Sequence, residues 1–161
     1  MFGFSLHLAA IMSTASLPAA SSSPAANDQE ELNKKEFEAL SEFRYQLRRF
    51  ERFSETAIQA HGITPLQYLL LLHIKGFPGR EYANVGELAD RLQAMPHGVA
   101  ALISRCEANG LVQRKQSEVD RRQVEVRLLP AGEELLQQLA TLHRKELRSL
   151  NGVFPIPLIN F

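Results

Sequence analysis

One stretch of the sequence, residues 85–129, constrains the fold more than any other, because two short helices can be predicted in it. Its apolar side chains recur at i, i+1 and i+4 in the first helix and at i, i+3, i+4 and i+7 in the second. They are Leu88, Ala89, Leu92, Val99, Leu102, Ile103 and Cys106. Pro96 suits the first turn of the second helix, and Gly110 can end it because glycine adopts the left-handed conformation cheaply.

A hairpin is predicted directly after these helices. Residues 111–115 suit a first strand, and residues 116–120 form a polar turn. Residues 123–128 then alternate polar and apolar side chains with a period of two, which is typical of a half-buried strand. Helix, turn, helix and hairpin in this order predict a winged helix-turn-helix.

Several motifs in and after this stretch carry a resemblance to a known family. They are Gly110-Leu111-Val112, Arg114, the triplet Asp120-Arg121-Arg122, and Leu128-Leu129-Pro130-Ala131-Gly132. With them the chain resembles the multiple-antibiotic-resistance regulator (MarR) family of transcription factors from about residue 37 to residue 150. The triplet is the most specific part. The family's usual Leu-Thr before the last helix is Leu129-Pro130 here, and proline fits that position.

The pattern and the resemblance together imply a mainly α fold with a small β-hairpin wing. This is a winged helix-turn-helix with long N- and C-terminal dimerisation helices. We expect a disordered N-terminal tail, a MarR-type domain and a C-terminal tail at residues 1–26, 27–152 and 153–161. Within the domain, the DNA-binding lobe and the two dimerisation helices are predicted at residues 64–129, 34–60 and 131–150. We expect no counterpart of the family's further C-terminal helix, because Pro155 and Pro157 interrupt the sequence there.

The N-terminal tail allows two interpretations. Residues 2–12 form an apolar run followed by small residues, as in a secretory signal, but no Lys or Arg precedes the run. We favour a disordered extension, because its Ala, Ser and Pro residues bury too little surface to become ordered. Met12 is an alternative start.

The two long helices each carry a broad apolar face, and a chain of this size has little core left to cover both. We therefore expect them to pair across a two-fold axis, as the resemblance also implies. The residues predicted at this dimer seam are Phe37, Leu40, Leu47, Leu139, Leu142 and Leu147. The other side of the first helix carries Arg44, Arg48, Arg49 and Arg52. A solvated face explains these arginines best, with phosphate contact and inter-subunit pairing as alternatives.

In a helix-turn-helix the second helix lies in the major groove, with its N-terminal residues at the base edges. Here that is the recognition helix 96–109, and its candidate contacts are Pro96, His97, Gly98, Ala101, Ser104 and Arg105. His97 can donate or accept at a base edge, whereas Gly98 and Ala101 offer close approach and a methyl contact with thymine. Because these donors are few, DNA shape should contribute to specificity.

The wing, residues 113–123, is predicted to enter the minor groove. Arg122 suits a narrow A·T-rich groove, and the carboxylate of Asp120 is expected to accept from its guanidinium. The resemblance assigns the same roles to this Asp-x-Arg pair, and a salt bridge that only shapes the turn is the alternative. The candidate phosphate contacts are Arg114, Lys115 and Arg121.

Composition argues against other functions. The 18 basic and 18 acidic residues balance, so any basic surface must be local. Histidine and cysteine spacing fits no metal site, no cofactor is indicated, and no catalytic motif points to an enzyme. The single cysteine, Cys106, suits a reducing cytoplasm and lies in the core stripe, which favours packing over redox sensing. No apolar run is long enough to predict a membrane span.

We therefore predict a cytoplasmic, homodimeric transcriptional repressor that binds a pseudo-palindromic operator in double-stranded DNA. In the family, a small-molecule effector site lies between the dimerisation helices and the DNA-binding lobe. Candidate lining residues are Tyr45, His61, Tyr68 and His73, although packing or capping explains each of them more simply. The alternative function is a winged-helix protein-interaction module without specific DNA binding. The neutral net charge favours this alternative, and the Asp120-Arg121-Arg122 triplet opposes it.

Overall fold

The computed structural model describes residues 31–118 and 120–150. The elements in these ranges are α1 (Lys34–Ala60), α2 (Pro65–Lys75), α3 (Val85–Leu92), α4 (Pro96–Ala108), β1 (Val112–Gln116), β2 (Val124–Leu128) and α5 (Pro130–Ser149). β1 and β2 form an antiparallel hairpin, so the predicted mainly α fold with a small β-hairpin is confirmed. The predicted tails, residues 1–26 and 153–161, lie outside the described residues.

Two helices begin with a reciprocal pair of cap hydrogen bonds. The N–H of Gln67 donates to the Thr64 hydroxyl at 3.3 Å, and the N–H of Thr64 donates to the Gln67 side chain at 2.9 Å. Asn84 and Glu87 repeat the arrangement before α3, at 2.9 and 2.8 Å. Each capping box satisfies backbone donors that no helical carbonyl reaches.

The turn between α3 and α4 reverses the chain without a glycine. Gln93 follows α3 with a φ of 50°, in the left-handed region. Its N–H donates to the carbonyl of Asp90 at 3.2 Å, and the N–H of Ala94 donates to that of Ala89 at 3.0 Å. These bonds satisfy the last carbonyls of α3 and direct the chain into α4, which begins at Pro96 as predicted.

The core of the predicted DNA-binding lobe lies where α2, α3, α4 and the hairpin meet. The buried residues of α4 are Val99, Leu102, Ile103 and Cys106, which confirms the predicted core stripe. Fully buried partners from the other elements are Leu70, Leu71, Ile74, Leu88, Val112 and Val126. Ala83 forms an antiparallel bridge with Val126 and so ties the loop before α3 to the base of the wing.

Helix α5 packs against α1 and α2 through a buried histidine. Nδ1 of His143 donates to the carbonyl of Leu139 at 2.7 Å, and the Ser54 hydroxyl of α1 lies 2.7 Å from Nε2. The imidazole stacks on Tyr68 of α2 at a centroid distance of 4.7 Å and meets Phe50 edge-on at 5.8 Å. Burial lowers the pKa of His143, so the neutral ring is favoured at this junction of three helices.

Two sequence predictions are wrong at the level of single side chains. Leu139 was expected at the dimer seam, but its side chain has 0% exposure and packs in the core of its own chain. The period-two alternation of β2 also fails, because Val124 is exposed and Glu125 is buried. Glu125 is tolerated there because its carboxylate pairs with Arg127 at 2.7 Å.

Candidate DNA-binding surface

The predicted base contacts of α4 share one exposed surface. Every one of them is exposed and lies outside the buried stripe of the helix: Pro96, His97, Gly98, Ala101, Ser104 and Arg105. The stripe faces the lobe core, so this surface is available to a partner. That the partner is DNA remains a prediction for each residue.

Gly98 is not required by the fold. A Cβ added at this position would meet nothing within 4 Å, and its φ is not in the left-handed region. Glycine inside a helix costs roughly 0.5–1 kcal/mol relative to alanine. A glycine that neither packing nor backbone conformation requires favours a close approach by something outside the chain on this face of α4.

Ser104 has less hydrogen-bonding capacity to offer a base than the sequence suggested. Its hydroxyl donates to the carbonyl of Ala100 at 3.0 Å and accepts from Nη2 of Arg114 at 2.9 Å. A serine hydroxyl has one proton and two lone pairs. Ser104 can therefore present only one remaining lone pair to DNA in this conformation.

Arg114 contacts α4 rather than facing outward from the wing. Its backbone N–H and its Nη1 donate to the carboxylate of Glu107, at 2.9 and 2.5 Å. Its Nη2 donates to the Ala100 carbonyl and the Ser104 hydroxyl, both at 2.9 Å. The sequence suggested a phosphate contact for this arginine, which stays a prediction; in the structure its guanidinium is bonded to α4. Glu107 was missed, because no periodicity relates two residues that lie on either side of the turn at Gly110.

The tip of the wing presents two arginines. The N–H of Ser117 donates to the carbonyl of Gln123 at 2.9 Å and closes the loop between β1 and β2. Arg121 and Arg122 are both exposed at this tip. Within residues 31–118 and 120–150, neither guanidinium has an ion pair. Both charges are thus directed to solvent, as a nucleic-acid contact requires.

Asp120 shapes the tip by a different contact from the predicted one. Its Oδ1 accepts from the backbone N–H of Arg122 at 3.0 Å, and its Oδ2 accepts from the Gln123 side chain at 3.3 Å. An aspartate that accepts from the N–H two residues on forms an Asx turn. The expected bond to the Arg122 guanidinium is not formed in the described chain, so that prediction is wrong. Asp120 instead sets the backbone from which Arg122 extends.

The base of the wing is held by a cluster of arginines and aromatic rings that no sequence pattern indicated. Arg127 of β2 and Arg80 lie over the ring of Tyr82, at 4.4 and 4.7 Å from its centroid. Arg80 also lies 4.3 Å from the centroid of Phe77 and pairs with Glu87. Cation–π contacts of this kind join the loop before α3 to the hairpin.

The remaining candidates are placed as follows. Lys115 is exposed and pairs with Glu118 at 2.6 Å, which lowers the pKa of that carboxyl. Cys106 is fully buried, and burial raises the pKa of its thiol, as expected for a packing residue. In the described ranges, no three His, Cys, Asp or Glu side chains are grouped as metal ligands.

An open, mainly apolar groove of about 380 Å³ lies between α1 and α2. Of the residues proposed for an effector site, Tyr68 lines this groove, whereas Tyr45, His61 and His73 do not. The groove also contains Phe50 and Ser54, the α1 residues that contact His143. The groove is therefore lined by residues that contact His143, the side chain at which α1, α2 and α5 meet.

A family model described as the MarR family matches residues 61–123, which run from the end of α1 through the wing. Over these residues the chain is similar to the MarR family. Two curated relatives are described as uncharacterized HTH-type transcriptional regulators of Bacillus subtilis (strain 168). YsmB is 30% identical over 93 residues, which cover 58% of this chain and 62% of YsmB. YkoM is 29% identical over 130 residues, which cover 76% of this chain and 81% of YkoM.

Solved MarR-family structures share the fold. A MarR family protein from Bacillus stearothermophilus superimposes with a TM-score of 0.64 at 24% identity, covering 77% of this chain and 85% of that one. Among the described residues, no helix combines the length and apolar character needed to cross a membrane.

Proposed function

We propose that this chain is a DNA-binding transcriptional regulator of the MarR family, specifically a repressor, that binds a pseudo-palindromic operator as a homodimer. One observation carries the proposal: the exposed face of α4 and the arginines of the wing tip are presented by the same lobe. A helix N-terminus suited to the major groove is thereby combined with a basic tip suited to an adjacent minor groove.

The proposed roles follow from what each side chain can offer. His97 and Arg105 supply hydrogen bonds to base edges or phosphates, while Gly98 and Ala101 allow the helix to approach closely. Arg122 enters the minor groove, where narrow A·T-rich DNA concentrates negative potential. Arg121 and Lys115 neutralise phosphates, so each should steepen the salt dependence of binding by about 0.9 in log–log slope.

The proposed homodimer rests on apolar side chains that the chain itself leaves uncovered. Phe37 and Leu40 of α1 are 56% and 51% exposed, and Leu142 of α5 is 37% exposed. All residues from 34 to 45 are exposed in the described part of the chain. Burial against a second copy would stabilise this part of α1, since isolated helices of this length are marginal in water. Leu47 and Leu147 are half-buried and would lie at the margin of the seam.

Two recognition helices related by a two-fold axis would meet successive major grooves about 34 Å apart. A small apolar effector in the groove between α1 and α2 would change that spacing, provided that it binds one conformation better than the other. Tyr68 and Phe50 would line its site, and through His143 they contact α5.

The first test is a fluorescence-anisotropy titration of the purified chain with the DNA immediately upstream of its own coding region. It would be run at two salt concentrations and against a scrambled duplex of equal composition. We expect binding that is specific and that weakens as salt rises. Arg122→Ala should cost on the order of 1–3 kcal/mol of specific binding without unfolding the chain.

A protein-interaction module is the second candidate function. The zero net charge favours it, and so do Leu66 and Leu69, which are 52% and 37% exposed on α2. Binding to upstream DNA that is no tighter than binding to the scrambled duplex would support this alternative and contradict the repressor.

A further inference from the structure

The contact between Arg114 and α4 extends along the helix. Its partners Ala100, Ser104 and Glu107 are spaced i, i+4 and i+7, so they form one stripe on the surface of the recognition helix. Arg114 is in the middle of β1, opposite Val126 of β2. The side chain therefore joins the wing to the recognition helix over almost two helical turns.

The carboxylate of Glu107 accepts hydrogen bonds from both the backbone and the side chain of Arg114. One carboxylate oxygen accepts from the N–H of the strand and the other accepts from the guanidinium. Charge-assisted bonds of this kind are shorter and stronger than neutral ones. The two side chains are 30% and 38% exposed, whereas those of the nearby pair Lys115 and Glu118 are 53% and 82% exposed. Solvent therefore screens the Arg114–Glu107 contact less.

Beyond Arg114, the side chains of β1 bond to the wing itself. Lys115 pairs with Glu118 at 2.6 Å, and the side chain of Gln116 donates to the carbonyl of Arg121 at 2.5 Å. These contacts shape the loop, but they do not connect it to α4. Within β1, Arg114 is therefore the residue whose hydrogen bonds connect the wing to α4.

We propose that Arg114 and Glu107 are positioning residues that fix the wing against the recognition helix. We call the contact between Arg114 and Glu107 the clamp. While this contact is formed, Arg122 and His97 reach neighbouring grooves of one DNA duplex in a single register. The proposal rests on the proposed DNA-binding function, and it replaces the phosphate contact that the sequence suggested for Arg114.

A positioning role and a phosphate role predict opposite results for Glu107→Gln. If Arg114 bound phosphate, removing the competing carboxylate would release the guanidinium and strengthen binding to any duplex. If the clamp positions the wing, the same change weakens specific binding although no basic residue is lost. Arg114→Met should then have a similar effect, because either variant opens the same contact.

The binding test uses a duplex selected from random sequence by the wild-type chain, titrated over a range of salt concentrations. We expect Glu107→Gln and Arg114→Met to weaken specific binding by roughly tenfold or more, the size of one lost charge-assisted bond, with the salt slope unchanged. Arg122→Ala should cost little more in either background, because residues that act as one unit are not additive. Arg121→Met is the matched control, and it should reduce the slope by about 0.9.

A second test needs no DNA. Amide hydrogen exchange in residues 112–116 and 124–128 should be faster in Glu107→Gln than in the wild type or in Arg121→Met, with exchange in α2 unchanged. Specific binding that is unchanged or tighter in Glu107→Gln, or unchanged exchange in the wing, would overturn the clamp. If the wild type selects no sequence, the proposed function fails and the exchange experiment alone decides whether the wing is fixed.

Discussion

The winged helix-turn-helix and the helical pair α1–α5 differ in how far the chain itself buries their apolar residues. In α4, all members of the apolar stripe are buried by the same chain. In α1, Ile58 near one end is 1% exposed, whereas Phe37 near the other end is 56% exposed. The lobe thus completes its core within one protomer, and the outer half of α1 does not. In the proposed dimer, the lobe would keep its DNA-binding surface intact while the second copy sets the distance between two such surfaces.

The largest difference between the regions should appear on α5, where Leu139 is 0% and Leu142 is 37% exposed. Leu139→Ala should lower the free energy of unfolding by about 2–5 kcal/mol, because it leaves a cavity in the chain's own core. Leu142→Ala, the matched control, should lower it much less and should weaken the dimer instead. Urea denaturation at two protein concentrations measures both effects. Equal, concentration-independent losses would show that both residues belong to the same core.

These two leucines also show how far the sequence could predict the structure. Helical periodicity identified the apolar side of α5, but it could not tell which positions pack within the chain and which remain uncovered. The α4 stripe was predictable, because Pro96 and Gly110 bound a short helix with one narrow apolar face.

The sequence predicted which residues of the candidate site share one exposed surface. It did not predict which hydrogen bonds those residues form. Exposure of the α4 residues followed from the position of the buried stripe. The roles of Arg114 and Asp120 did not, because each depends on a hydrogen-bond partner brought close by a turn. A guanidinium bonds to whichever acceptors the fold brings near it. The spacing of Glu107 and Arg114 in the sequence follows no helical or strand period, so it did not predict this pair.

Substitutions at the contact between α5 and the lobe should lower the free energy of unfolding nearly as much as substitutions in the core. A Cβ added to Gly132 at the start of α5 would lie 2.1 Å from the carbonyl oxygen of Leu111, a backbone atom that cannot rotate away. Gly132→Ala should therefore destabilise the chain by about 1–3 kcal/mol or more through overpacking. Thermal denaturation followed by circular dichroism measures the change.

Gly98→Ala is the matched control for this substitution, because Gly98 has open space around it. It should stabilise α4 by roughly 0.5–1 kcal/mol, since alanine is the better helix former, while weakening the binding of operator DNA. Destabilisation by both substitutions would mean that Gly98 also has a packing role.

A smaller effect is expected from the histidine that joins α5 to α1 and α2. Burial lowers the pKa of His143 below its usual value of 6.5. As pH falls below about 6.5, His143 becomes protonated in the unfolded chain while it stays neutral in the folded chain. The free energy of unfolding therefore decreases. Burial and Arg91 also lower the pKa of His73, which acts in the same direction. His143→Phe keeps an aromatic ring against Tyr68, and it should reduce but not abolish the decrease between about pH 7.5 and about pH 5.5. An unchanged pH dependence in this variant would contradict the role of His143.

The smallest effect on the lobe should come from the end of α1 that the chain leaves uncovered. Phe37→Ser removes an apolar side chain that is 56% exposed, so the free energy of unfolding of the lobe at low concentration should change by about 0.5 kcal/mol or less. The same substitution should lower the dimer fraction in sedimentation equilibrium, because the ring would otherwise be buried against a second copy. A large, concentration-independent loss of stability would place Phe37 in the protomer's own core and remove the contrast between the lobe and the helical pair. A stable lobe with a weakened dimer would instead show that one chain folds the DNA-reading surface and two chains are needed to set its spacing.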